Sequence, residues 1–263
     1  MCIISKPINS VSKTRITVIP SVSNRQTVVY SCSIDSVLKN AMILAVWNPG
    51  NDVNNIILHN MEKVPNFNQK LSGLYEDPNR RVTKGVPKTP LVVHKVGKYD
   101  VSVAPTLSDI DNVEDELKTP PELHEFLRKS YTDDYSYLIA KFQAGKQQFH
   151  PLGYTHPRAD HIFIPTLHWH QHTWWFWKYQ DIQVGDFDHE IFVLNSGANV
   201  YSNKWQTILP LLCEKAEPPI QPDILTSFFR IVVEGKYKNT DIRLPWSDRT
   251  DVDLLPLIDG VFS

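Results

Sequence analysis

Residues 161–195 read HIFIPTLHWHQHTWWFWKYQDIQVGDFDHEIFVLN, and the interpretation of the whole chain starts from this stretch. It contains five of the ten histidines and four of the seven tryptophans. An apolar run lies at each end, HIFIPT and HEIFVLN, and both are rich in β-branched and aromatic residues. Such runs are typical of β-strands, so the sequence predicts two strands joined by a connection that is long enough for them to pair antiparallel.

Similar runs precede this stretch. TRITVIP, QTVVYSCSI and NAMILAVW occupy much of residues 14–47, and NIILH follows a turn at NPGND. LVVHKVGKYDVSVAP alternates on both sides of Gly97, which predicts a hairpin. SYLIAKFQ and QQFHPLGYTH, separated by AGK, predict a second hairpin. Residues 60–90 are polar and contain four prolines, and we expect a long loop there.

Two short helices are predicted near residues 107–130. LSDIDNVEDEL has apolar residues at spacings of three and four, which makes one buried face. Thr119 and Glu122 fit a capping box that would begin the second helix. Strands followed by a helical pair and more strands favour an α+β fold with a mostly antiparallel sheet. We expect a single domain of residues 1–263, in which residues 196–263 are a less regular C-terminal extension.

Charge, apolar-run length and cysteine spacing exclude several classes of protein. Lysine and arginine number 27 and aspartate and glutamate 29, so the net charge is −2, which argues against a general nucleic-acid binder. The longest apolar runs are far shorter than the roughly 20 residues that span a bilayer. Cys2, Cys32 and Cys213 are widely spaced and do not suggest a disulfide framework. We therefore expect a soluble protein of the cytoplasm with no nucleic-acid partner and no membrane span.

The histidines of residues 161–195 form the first candidate site. Alternate side chains of an extended chain share a face, so His168 and His170 would point the same way and could bind one ion. His189, beside Asp188, would reach that ion if the two strands pair, because neighbouring strands lie about 4.8 Å apart. His168, His170 and His189 are therefore predicted to bind a divalent metal such as zinc in a hydrolase-like site. A histidine face that is only solvated, or bonded to the backbone, is the alternative.

The amino terminus is the second candidate site. If the initiator methionine is removed, Cys2 carries a free α-amino group with a pKa of about 8, which can act as the base for its own thiol. N-terminal nucleophile amidohydrolases use this arrangement. Arg25 could orient a carboxylate or lower the pKa of the thiol, and His150 is a further imidazole for this site. Cys2, Arg25 and His150 are the catalytic candidates of this alternative, and an ordinary second residue is the other interpretation of Cys2.

The aromatic run around Trp174, Trp175 and Trp177 favours a third function. Tryptophan faces can stack on sugars, bases or cations, but such a cluster is more often buried in a core or against a partner. A non-catalytic structural or assembly protein would use these three side chains for contact with another protein or with a second copy of itself.

The order of several sequence blocks is also informative. MCIIS with VSKTRI, RQTVVYS with NAMILAV, VGKYDVSVAPTLSDID, and finally HPLGY, IFIPTLHWH and FDHEIF follow one another over roughly residues 1–195. In this order they resemble an uncharacterised protein family of bacteria, protists and large DNA viruses that has no assigned activity. The resemblance makes a viral protein, found in the cytoplasm or the virion, an expectation. It also implies that the recurring motifs contain the candidate residues Cys2, Arg25, His150, His168, His170 and His189.

Overall fold

The computed structural model of the chain describes residues 2–74, 94–96, 99–113, 117–148, 150–169, 184–195, 204–223 and 227–246. Its strands are β1 (Cys2–Ile4), β2 (Ser10–Ser21), β3 (Arg25–Ser36), β4 (Asn40–Trp47), β5 (Ile57–His59), β6 (His94–Val96), β7 (Tyr99–Ala104), β8 (Tyr135–Phe142), β9 (Gly145–Gln148), β10 (Leu152–Pro157), β11 (His161–Ile164), β12 (His168–Trp169), β13 (Val184–Asn195), β14 (Ser227–Lys238) and β15 (Ile242–Pro245). Its α-helices are α1 (Phe67–Ser72), α2 (Pro121–Ser130) and α3 (Lys204–Glu214), and 3-10 helices occupy Val53–Asn55 and Leu107–Asn112.

Two large sheets contain most of the strands. The first has six strands in the order β12-β1-β4-β8-β7-β6. The second has seven, in the order β14-β13-β2-β3-β10-β5, with β9 paired to the other end of β3. Strands β11 and β15 form a separate antiparallel pair. Two neighbouring pairs are parallel, β1 with β12 and β2 with β13, and the other paired strands are antiparallel.

The central strands of the second sheet divide their side chains between two apolar cores. On β2, Val18 joins an inner core that also contains residues of the first sheet, whereas Ile19 joins an outer core. On β3 and β13 the same alternation separates even from odd positions, as the two-residue period of a strand requires. Helices α1 and α3 supply apolar residues to the outer core and thereby cover that face of the sheet. The inner core is therefore enclosed between the two large sheets.

A β-bulge interrupts β2. From Ser12 to Arg15, three steps along β2 match two steps along β3. Lys13, in the bulge, has a positive φ of 56°. Because one extra residue reverses the alternation of side chains, Val11 and Ile16 both pack on the inner core although their spacing is odd.

The predicted mostly antiparallel β-structure with few helices is confirmed. The strands expected from TRITVIP, QTVVYSCSI, NAMILAVW and NIILH are β2 to β5, and the hairpin around Gly97 is β6 with β7. The second predicted hairpin is wrong, because β8 pairs with β4 and β7 whereas β9 and β10 pair with β3. Residues 196–263, for which the sequence predicts an extension, supply β14, which pairs with β13 along twelve residues.

The helical pair near residues 107–130 differs from its prediction in detail. Leu107–Asn112 is a 3-10 helix, and α2 begins at Pro121. The predicted capping box is wrong, because the hydroxyl of Thr119 donates to the carboxylate of Asp111 instead of capping α2. Partial burial favours the neutral form of this carboxyl group, but the hydrogen bonds from Thr119 and His124 outweigh it and lower the pKa of Asp111.

Two further expectations concern partners. No helix among the described residues is both long and apolar enough to cross a membrane. Trp174, Trp175 and Trp177 lie outside the described residues, so the assembly role of this cluster stays a prediction.

Candidate functional site

The first structural feature of the candidate site is the parallel contact between β1 and β12. Cys2 is paired with His168, and Ile3 with Trp169. Strand β1 lies between β12 and β4, so the two-residue strand β12 forms one edge of the described part of the first sheet. The amino-terminal strand and the histidine-rich stretch, which sequence analysis treated as separate candidates, are therefore neighbours.

Two polar side chains fix the backbone that leads into His168. The side chain of Asn239 accepts a hydrogen bond from the backbone N–H of His168 at 2.7 Å and donates one to its carbonyl at 2.7 Å. The side-chain amide of Asn239 thus makes the two backbone hydrogen bonds that a neighbouring strand would otherwise make. One carboxylate oxygen of Asp241 accepts from the N–H groups of Thr166 and Leu167, each at 2.8 Å. Both residues follow β14, so the C-terminal part of the chain positions His168.

The imidazole of His168 contacts aromatic rings of the second sheet. Its centroid lies 4.9 Å from that of His189 and 4.6 Å from that of Phe187. Phe187 and His189 are two residues apart on β13 and point to the same side. His168 is 7% exposed and His189 is 1% exposed. The two imidazoles therefore meet between the sheets, away from bulk water.

Burial also affects the protonation of His189. Desolvation lowers the pKa of His189 well below its usual range, and the neighbouring His168 acts in the same direction. Both effects favour a neutral imidazole. Next to it, burial raises the pKa of Asp188, whose carboxylate accepts a hydrogen bond from the backbone N–H of Lys13 in the bulge of β2.

The structure brings together two of the three predicted metal ligands, His168 and His189. The predicted route is wrong, because β12 pairs with β1 whereas β13 pairs with β2 and β14, so the imidazoles approach across two sheets rather than within one. His170 lies outside the described residues. Among the residues that are described, no group of three or more side chains is placed to hold a metal ion. Two imidazoles can hold zinc only with further ligands, so the metal site stays a prediction.

Arg25 and His150, the other catalytic candidates, have contacts elsewhere. The guanidinium of Arg25 donates to the backbone carbonyl of Asn55, and burial lowers its pKa. The ring of His150 packs on Tyr99 at 4.4 Å between centroids, and the Tyr99 hydroxyl donates to the His150 carbonyl at 2.5 Å. None of these contacts involves His168 or His189.

Sequence analysis did not single out His156, which belongs to a second buried polar group. A carbonyl only accepts, so Nδ1 of His156 donates to Pro157 at 2.8 Å and Nε2 accepts from the Gln26 amide at 3.3 Å. Gln26 also donates to the Phe163 carbonyl at 2.6 Å and accepts from the Phe163 N–H at 3.1 Å. Burial lowers the pKa of His156 to about 4. A glutamine at the start of the strand-forming run QTVVY was the available signal.

A fourth buried histidine, His59, ends a chain of hydroxyl groups. Nδ1 of His59 donates to the Pro218 carbonyl at 2.6 Å, so Nε2 accepts from the Thr155 hydroxyl at 2.7 Å. Thr155 contacts Thr27 at 2.5 Å, and Thr27 contacts Ser21 at 2.6 Å. Burial lowers the pKa of His59. This chain crosses four adjacent strands in the interior, where it can order them but cannot reach a substrate.

Comparison with known proteins shows a similarity of fold. No family model matches the sequence, and the family resemblance of the sequence blocks stays a prediction. The crystal structure of baculovirus P35 has a TM-score of 0.53 with this chain at 10% sequence identity, and the match covers 93% of this chain and 99% of P35. A structure of a mutated baculovirus P35 after caspase cleavage has a TM-score of 0.40 at 11% identity, over 89% and 94% of the two chains. At this identity the first likeness shows the fold alone.

Proposed function

We propose that this chain binds a cysteine protease of the caspase class and restrains its activity. The observation that supports the proposal is the extent of the P35 likeness, which covers 93% of this chain and 99% of P35. A match of this extent compares the whole arrangement of sheets rather than one common motif. A mutated baculovirus P35 has been crystallised after cleavage by a caspase, and the proposal extends this encounter to the present chain.

The framework is suited to an encounter with a protease. Proteolysis of a folded protein proceeds through locally opened states, so a segment resists cleavage when its contacts are buried and satisfied. Strand β8 is buried along its whole length, and Gln26, His156 and His59 tie strands together in the interior. A protease would therefore act at the surface of this body while the sheets stay intact. Caspases cleave after aspartate, and Asp160, before β11, exposes 93% of its side chain.

The test uses the full chain with purified caspases. The chain is incubated with each enzyme from equimolar to about tenfold excess, a range that detects tight binding. We expect hydrolysis of a fluorogenic peptide to fall with time, and mass spectrometry to find a new end after one aspartate. Full peptide hydrolysis with an intact chain would contradict the proposal. Cleavage of this chain without loss of peptide hydrolysis would mean that the chain is a caspase substrate that does not restrain the enzyme.

The matched control is a change of aspartate to glutamate at the mapped position. Glutamate keeps the charge but extends the carboxylate by one methylene, which the aspartate pocket of a caspase does not accept. We expect that variant to lose both cleavage and restraint. The same change at Asp35, on β3, should leave both unaltered and thereby separates a specific site from a general loss of stability.

A second candidate function follows from the approach of His168 and His189 to within 4.9 Å between ring centroids. In this version the pair, together with His170, holds a divalent metal such as zinc in a hydrolase-like site. Metal binding needs neutral imidazoles, so affinity should fall in acid. Because burial lowers the pKa of His189, protonation of this ligand should compete with the metal only well below the usual value of about 6.5. Zinc titration by calorimetry should show stoichiometric binding that His168→Ala abolishes and His172→Ala preserves. Absence of stoichiometric binding by the unmodified chain would refute this version.

The N-terminal nucleophile version rests on the pairing of Cys2 with His168. It requires removal of Met1, so that the α-amino group of Cys2 is free. Intact-mass measurement should then find the chain without its methionine, and a thiol-specific reagent should modify Cys2 faster than the buried Cys32 and Cys213. Retention of the methionine on most molecules would remove this version.

A further inference from the structure

Strand β14 forms one edge of the second sheet. It pairs with β13 over twelve residues, from Ser227 to Lys238. Among the described residues no strand pairs with its other side. A long edge strand presents a row of backbone N–H and C=O groups on which another strand can be added.

The solvent face of β14 has a distinctive order of residues. Ile231 and Val233 are buried, whereas Val232 between them is 58% exposed. No other large apolar residue among the described residues is as exposed. Arg230 and Glu234 are exposed on the same face, two residues to either side of Val232. One positive, one apolar and one negative side chain thus follow one another along a single face.

We infer that two copies of this chain pair through β14 in an antiparallel manner about a two-fold axis at Val232. In such a pair, a residue two positions before the axis lies opposite the residue two positions after it. Arg230 of each copy then faces Glu234 of the other, and the two Val232 side chains face each other. Opposite charges and apolar residues in directly opposed positions stabilise an antiparallel pair.

Other positions of the axis give poorer pairs. If the axis passed through Val233, Arg230 would face Lys236 of the second copy, and like charges directly opposite each other destabilise a sheet. If it passed through Glu234, two carboxylates would meet at the axis. The charge pattern therefore favours one register, and a two-fold interface is the commonest form of association between identical chains.

The existing ion pairs of β14 are compatible with this arrangement. Arg230 contacts Glu190 of β13 through Nε at 2.7 Å, and Glu190 also accepts from Arg15 at 2.8 Å. A guanidinium has five N–H donors, so one arginine can serve carboxylates on two sides. The interface would extend a charge network that already orients the arginine. A single pair of strands buries less than the roughly 1,600 Å² of a standard interface, so we expect a dimer that dissociates on dilution.

The test is the oligomeric state of the full chain between about 1 and 100 µM, measured by sedimentation velocity. We expect a concentration-dependent dimer. Val232→Lys places two ammonium groups at the axis and should weaken dimerisation at least about tenfold, with unchanged circular dichroism. The matched control is Val37→Lys, the same change at a valine that is 54% exposed in the turn after β3, which should leave the dimer intact. A chain that is monomeric throughout, or a dimer that Val232→Lys does not weaken, would overturn the inference.

A second pair of variants tests the register. Val232→Cys should form an intermolecular disulfide under mild oxidation, because directly opposed residues of a pair have Cβ atoms about 4.5–5.5 Å apart. Val37→Cys is the control and should not. Glu234→Arg alone should weaken the dimer, since it places two arginines opposite each other, whereas Glu234→Gln should have a smaller effect. Equal disulfide formation by both cysteine variants, or equal dimerisation by Glu234→Arg and the unmodified chain, would refute this register.

Discussion

Two groups of buried histidines in this molecule differ in what surrounds the imidazole. His156 and His59 are held by hydrogen bonds to carbonyl, amide and hydroxyl groups at both ring nitrogens. His168 and His189 instead pack ring against ring, with Phe187 beside them. In the first group the imidazole is a polar tie between strands. In the second it occupies an aromatic contact between sheets, and Nδ1 of His189 also lies 4.0 Å from a carboxylate oxygen of Asp188.

The largest effect that would sharpen this comparison is expected at Gln26. Replacing Gln26 by leucine leaves the Phe163 N–H and carbonyl, and one nitrogen of His156, without their partner inside the protein. Each buried polar group that loses its partner costs about 1–3 kcal/mol, so we expect a loss of at least about 3 kcal/mol in the free energy of unfolding. Urea denaturation measures it. An equally large loss for Gln147→Leu, on the exposed strand β9, would show that the effect is unspecific.

The next effect concerns pH. Burial lowers the pKa of His156 to about 4, below the ordinary value of 6.5, so the unfolded chain binds this proton more readily. Stability should therefore be fully present above pH 6.5 and fall as the pH drops towards 4, by about 1.4 kcal/mol for each unit of the shift. Burial raises the pKa of Asp241, which acts in the opposite direction and partly masks the slope.

The variant His156→Gln isolates the contribution of this histidine. It keeps a neutral polar side chain but cannot take up the proton. Denaturation at pH 7.5, 6.5, 5.5, 4.5 and 4, spanning the shift from about 6.5 to about 4, should show a flatter pH dependence than in the unmodified chain. Identical slopes would mean that His156 is not the group that titrates.

A smaller effect is expected at Thr155, where valine keeps the shape and removes the hydroxyl. The chain from His59 to Thr27 is then broken, and a neutral hydrogen bond contributes about 0.5–1.5 kcal/mol. We expect a loss of about 2 kcal/mol because two bonds disappear together. Thr119→Val removes a partly buried hydroxyl outside the sheets, the one that donates to Asp111, and should cost less than half as much by the same urea assay.

The smallest effect is expected at His168. Leucine has a similar volume and can make the apolar contacts with Phe187 and His189, and swaps that conserve volume in a core usually cost less than about 1.5 kcal/mol. Stability should therefore change little, whereas the zinc binding and the thiol chemistry proposed for this place should be lost. A loss as large as that of Gln26→Leu would erase the difference between the two histidine groups.

The local sequence pattern predicts the long strands, but it does not predict which strands pair with each other. The alternation in TRITVIP and HEIFVLN predicts β2 and β13, but nothing local indicates that Glu190 will pair with Arg15, which is 175 residues away in sequence. The second predicted hairpin failed for this reason, since β8 and β10 belong to different sheets. Leu107–Asn112 carries a helical spacing, yet it folds as a 3-10 helix with its own capping box between Thr106 and Asp109.

The candidate site shows the same contrast between features that are visible in the local sequence and features that depend on distant partners. The density of histidines singled out His168 and His189, whose ring centroids lie 4.9 Å apart in the structure, because unusual composition is visible in a sequence. It missed Gln26 and His59, whose importance lies in partners from distant strands. The amide of Asn239, which pairs with the backbone of His168, has no sequence signature at all.

The bulge at Lys13 has a consequence for how this chain can change over time. Any residue that replaces Lys13 must adopt the same positive φ, and we expect the substitution to cost little stability beyond that. Deleting Lys13 would reverse the alternation of side chains in the residues before it and turn Val11 from the core towards solvent. Chain length is therefore constrained here more tightly than residue identity. When this sequence is aligned with a relative, a one-residue gap near Lys13 marks a difference in sheet geometry rather than a neutral deletion.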